Sequence, residues 1–162
     1  MSLRVKVTAP KPAQIAAKLR KIHDPAFLQQ LQAEVVEGQI KKLIRAGRSP
    51  VEGFGRFPQY KDREKYPANK KAKTPVNLTL SGLMLKFFGI RKKSDRSITV
   101  GIFPEASNDL KVRARANNEG TENGIPARRF IPINGERFTV SVMRAIKNLY
   151  AKRVKELLSK KN

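Results

Sequence analysis

Asp24-Pro25 at one end and Gly47-x-Ser49-Pro50 at the other bracket a stretch that has few options other than a helix. An aspartate accepts hydrogen bonds from the free amides of a first turn, and a proline next to it gives up only an amide that would be unsatisfied there anyway. Between the brackets Leu28, Leu31, Val35, Val36, Ile40, Leu43 and Ile44 form an apolar stripe that drifts slowly around one helix. Gly47 supplies the left-handed stop, and Ser49-Pro50 prevents the helix from resuming. A second pattern of this kind closes the chain. Phe138, Val142, Ile146, Leu149, Val154, Leu157 and Leu158 recur at three and four residues, predicting a long final helix from near Gly135 with Asn134 as its cap.

Shorter elements lie around these two helices. Leu3, Val5 and Val7 alternate with polar residues as in a half-buried strand, and Ile15, Leu19 and Ile22 keep the spacing of a short basic helix. The apolar stretch from Leu78 to Phe88 fits a short helix or a strand, with a short helix from near Thr79 preferred. Ser97 to Phe103 is a strand rich in β-branched residues. Leu110 to Asn118 predicts a weak helix, and Arg129 to Ile133 an extended edge strand, since Pro132 cannot donate to a ladder. The expected fold is α+β: a small antiparallel or mixed sheet packed by the two long helices, in a single domain spanning 1–162. Residues 48–77, without periodicity and carrying Pro50, Pro58, Pro67 and Pro75, are expected to form a long extended loop or arm.

Charge narrows the function. The chain of 162 residues has 35 Lys and Arg against 13 Asp and Glu, a formal +22. Such a surplus repels itself unless a polyanion or an acidic protein neutralises it. There is no cysteine and one histidine, His23, so neither a disulfide framework nor a His/Cys zinc site can be built. No cofactor and no metal are expected. The first residues lack the apolar core of a signal peptide, and no apolar run approaches the ~18 residues of a membrane span. A soluble chain made in the cytoplasm, with no membrane partner, is the expectation.

Val51 to Tyr60, VEGFGRFPQY, superficially matches the aromatic strand with which RNA-recognition domains stack bases. Glu52 stands where a basic residue is needed, Arg56 intrudes between Gly55 and Phe57, and Pro58 argues against a central strand. The segment therefore reads as a glycine-punctuated loop, with Phe54, Phe57, Tyr60 and the nearby Tyr66 as candidate subunit contacts. Lys70, Lys71 and Lys73 farther along the loop, with Arg144, Lys147, Lys152 and Lys155 on the last helix, are candidate contacts to a polyanion or an acidic partner. For the helix lysines the ordinary alternative is a solvated face.

Catalytic patterns are thin. Glu105, Asp109 and Lys111 faintly resemble the acid, acid-x-lysine set of metal-dependent nucleases, but the spacing is very short and the segment reads as loop. Ser81-Gly82 lacks the frame of a nucleophile elbow, and Gly53-x-Gly55 lacks the strand and later glycine of a phosphate-binding turn. The chain reads as a non-enzyme.

The order of the segments carries a resemblance. Leu78, Ser81, Gly82 and Leu85 precede a strand containing Gly101. Asn117, Asn118, Glu119 and Gly120 end a short helix, and Pro126, Ala127, Arg128 and Phe130 introduce the last helix. Over residues 24 to 158 this order resembles the tailed-phage neck and tail-completion proteins, the group that includes the HK97 gp-ten-like and Mu G-like virion morphogenesis proteins. Ser81 stands for the usual threonine and Arg129 for the second proline. The resemblance implies an oligomeric ring that joins capsid connector and tail in the virion, assembled in the host cytoplasm. Its partners would be copies of itself, other connector, tail-terminator or tail proteins, and packaged DNA through non-specific contacts. Arg128, Arg129 and Phe130 then become candidate subunit-contact residues, the local alternative being Phe130 in the core and Arg128 holding the Gly120–Gly124 turn. The rival function is a non-specific nucleic-acid-binding protein.

Overall fold

The computed structural model describes residues 12–59, 78, 83–95, 97–103, 105–122, 124–133 and 135–159. The expected strand at Leu3–Val7 and the loop from Tyr60 to Asn77 lie outside the described residues.

The fold is α+β. Helix α1 spans Pro12–Leu19, and α2 spans Pro25–Leu31. The latter runs on through a π-helical segment, Gln32–Ile40, into α3 at Lys41–Arg45. Both brackets work as expected. The Asp24 carboxylate accepts from the Phe27 amide at 2.9 Å. At the far end Gly47 has φ 73°, its amide reaches the Ile44 carbonyl, and the Arg48 amide reaches back to Leu43, the paired bonds of a Schellman stop.

The π segment accounts for the drift of the apolar stripe. Bonds from i to i+5 widen each turn, so one face takes in residues that ordinary α spacing would rotate apart. Leu31, Val35, Val36, Ile40 and Ile44 are accordingly all buried. On the wider turn Gln32 also meets Glu37, five residues on, at 3.3 Å.

Helix α4, Leu83–Lys86, leads into strand β1, Phe88–Ser94, which pairs antiparallel with β2, Ser97–Ile102. Thus β1 is an addition to the sequence-based expectation, which had merged its start into one short helix. The register places Phe88 opposite Ile102, Gly89 opposite Gly101 and Ile90 opposite Val100, with a bulge between Lys92 and Ser94. Helix α5, Asn108–Glu119, is capped by the Ser107 hydroxyl on the Leu110 amide.

The final helix, α6, spans Val140–Ser159. It begins five residues later than the sequence suggested. Gly135 has φ 87°, outside helical space, and residues 137 to 139 pair instead with the loop after α3. Likewise 129–133 is extended but joins no sheet among the described residues.

The core lies where α2, the π segment and α6 converge beneath β1. Phe88 and Phe130 meet there edge to face at 6.2 Å, surrounded by Leu31, Val36, Ile40 and Val142. Two clasps hold α2 against α6: Asp24 pairs with Arg153, and the His23 Nε2 and Tyr150 hydroxyl lie 2.7 Å apart. Among the described residues no helix is long and apolar enough to cross a membrane.

Candidate interaction surfaces

A buried asparagine organises the region where the resemblance motifs meet. Helix α5 ends at Gly120, whose φ of 80° and whose absent Cβ are both required. A Cβ would lie 3.0 Å from the Ala127 amide nitrogen and from the Ile125 carbonyl oxygen. The chain then doubles back, so Asn118 faces residues 130 and 131. Its Oδ1 accepts from both the Phe130 and Ile131 amides at 2.8 Å, and its Nδ2 donates to the Ile131 carbonyl at 3.1 Å. A buried amide with three such bonds replaces the ladder that this extended segment lacks.

Arginine 128 extends the clamp. Its backbone amide donates to the Asn117 carbonyl, while its guanidinium donates to the carbonyls of Pro58 and Gln59, each at 3.0 Å. Arginine 129 donates to the Asn118 carbonyl at 2.9 Å, lies 3.1 Å from the Glu136 carboxylate and covers the Phe54 ring at 5.2 Å.

These contacts correct several expectations. Phe130 is wholly buried and Arg128 is 2% exposed, so neither offers a surface to a neighbouring subunit. Arg128 also grips the end of the loop after α3. That loop is no arm as far as Gln59. Ser49 donates its hydroxyl to the Arg129 carbonyl at 2.5 Å, the Glu52 amide bonds to Arg137, and the Thr139 amide bonds to Pro50. Val51 and Phe57 are buried with it. Phe57 is therefore core. Phe54, at the tip between Gly53 (φ 88°) and Gly55 (φ 60°), keeps 39% exposure and remains available. Tyr60, Tyr66, Lys70, Lys71 and Lys73 lie outside the described residues.

The second surface is the outer side of α6. Arg144, Lys147, Lys152 and Lys155 are all exposed. Helical spacing sets Arg144, Lys147 and Lys155 on one side, with Lys152 on its flank. Elsewhere most of the described acids are already committed. Asp24, Glu37, Glu52, Asp95, Glu105, Asp109, Glu119, Glu136 and Glu156 all sit within ion-pair distance of a Lys or Arg. None of these pairs reaches the four cations of α6. Beside them a groove of about 380 Å³ runs between Glu52, Arg137, Val140, Arg144 and Lys147. Val140 and Leu158 are exposed at the two ends of the helix, so the face is basic with apolar margins.

The acids considered for catalysis are otherwise engaged. Glu105 pairs with Arg91, whose guanidinium holds the carboxyl below its usual range, and Asp109 pairs with Arg113 at 2.9 Å. Among the described residues no three His, Cys, Asp or Glu side chains gather as a metal site would require. Comparison of the chain with protein-family models, with curated proteins and with solved structures returns no match.

Proposed function

We propose that this chain is a structural subunit of the head–tail junction of a tailed-phage particle, acting in neck or tail completion as part of an oligomeric ring. One observation carries the reading. Among the residues on which the resemblance rests, Asn117, Asn118, Gly120, Arg128 and Phe130 form a single connected clamp. The clamp joins the end of α5 to the approach to α6 and to the end of the 48–59 loop, a rigid frame suited to presenting surfaces to neighbours. The subunit's role is to join, not to catalyse, and the exposed Phe54 tip and the basic face of α6 are its contacts. The test is assembly: particles made without this chain should accumulate as separate heads and tails, and the added protein should restore joining. Joined, infectious particles in its absence would reject the proposal.

A second reading has its own observation. Four exposed cations on α6 without carboxylate partners suit a polyanion. If they contact duplex DNA, log affinity should fall with log salt at a slope of about −4. A flat salt dependence would leave the face to an acidic protein.

A further inference from the structure

The free edge of the β-sheet is built to pair with itself. A two-stranded sheet is marginal alone, and among the described residues the helices pack mainly on β1, with Ile98, Val100 and Ile102 of β2 half-buried at the margin of the core. The Ile90 amide donates to Gln32 Oε1 at 2.9 Å, pointing away from β2. Ile90 and Val100 are therefore a non-hydrogen-bonded pair, and in an antiparallel ladder that parity repeats every second residue. The amides and carbonyls of Ile98, Val100 and Ile102 must then point outward from β2. Among the described residues nothing bonds to them on that side.

Natural edge strands are guarded by lysine, proline or bulges. From Ser97 to Ile102 this strand has no charge and no proline, and the bulge of the hairpin lies in β1. On a chain of +22, this is a stretch where two copies approach without burying a cation. The pattern is also symmetric about Val100. Set antiparallel to a second β2, Val100 meets Val100, and Ile98 meets Ile102, as hydrogen-bonded pairs. Thr99 falls opposite Gly101, where no atom lies within 4 Å of a Cβ position. The half-buried side chains of Ile98, Val100 and Ile102 would then continue one apolar face across both subunits.

We infer that the β2 edge of this chain pairs with the β2 edge of a second copy, in antiparallel register about Val100, to make a four-stranded sheet across a two-fold axis. The inference stands on sheet geometry alone and survives if the head–tail reading fails. A two-fold contact closes a pair, so a ring would need another surface besides this one.

The chain has no cysteine, which makes the test clean. Thr99→Cys and Gly101→Cys variants, each with one thiol, should form a disulfide when mixed and oxidised. Either variant alone should not, since like positions lie diagonally, beyond disulfide reach. Val100→Pro removes an amide that the single subunit does not use, and should weaken association about thirtyfold, as two lost hydrogen bonds predict. If that variant misfolds, the mixed cross-link still decides. A mixture that fails to cross-link, or a wild-type chain that sediments as a monomer at high concentration, overturns the inference.

Discussion

The clamp after α5 and the outer face of α6 both use basic residues, and use them in opposite ways. In the clamp, Arg128 spends its guanidinium on two carbonyls and is sealed from solvent, while Arg129 is divided between a carbonyl, a carboxylate and an aromatic ring. On α6, Arg144, Lys147, Lys152 and Lys155 face water and form no ion pair among the described residues. Net charge cannot distinguish the two sets. Burial does: the two arginines of the clamp are drawn into contacts inside the fold, and the exposed cations are left for partners.

The contrast can be broken most forcefully from the clamp side. Phe130→Ala empties the centre of the core and should cost about 3–5 kcal/mol, read as a shifted urea midpoint. Next, Arg128→Ala removes a buried charged donor from the Pro58 and Gln59 carbonyls and should cost about 2–3 kcal/mol. It should also expose the bond after Gln59 to limited proteolysis. A variant as stable as wild type would mean that the loop is held by its backbone bonds alone.

A smaller effect comes from pH. Burial raises the Tyr150 phenol above its usual value. A proton held more tightly in the folded state stabilises the fold at lower pH, and that contribution is lost as pH climbs through the raised pKa. Stability should therefore decline above about pH 10, and Tyr150→Phe should make the decline shallower. The smallest stability effect belongs to α6. Reversing Arg144, Lys147 or Lys155 to glutamate should change stability by less than about 0.5 kcal/mol. In a DNA-binding assay each reversal should flatten the salt slope by about one. Loss of folding on these substitutions would erase the distinction between the two regions.

How much could be read beforehand follows the range of the interactions. The long first helix was legible because its signals are local: Asp24 caps an amide three residues on, and Gly47 ends the turn that precedes it. The stripe's drift was visible too, although only the π segment explains it. Strand β1 was not legible. Its apolar start, Phe88 to Ile90, continues the preceding run, and Arg91 to Ser94 is an exposed hairpin arm with no alternation to read. Nor could spacing show that Asn118 would bond across a reversal to residues 130 and 131, or that Arg128 would reach back to Pro58. Its one sequence signal was the Asn-Asn-Glu-Gly run ending in a glycine. The burial of Phe57 was hidden for the same reason, and that of Phe130 stood only as an alternative: aromatic residues in loops look alike until the partners are placed.

The clasp between Asp24 and Arg153 has a kinetic side. Its members are separated by 129 positions, and it joins the first turn of α2 to the last part of α6. Chains whose decisive contacts are that distant fold slowly, because a long loop must close before any contact repays it. During synthesis the face formed by Leu31, Val36 and Ile40 would emerge well before the helix that covers it. Until α6 leaves the ribosome, the nascent chain exposes a strip of aliphatic side chains beside a dense positive charge.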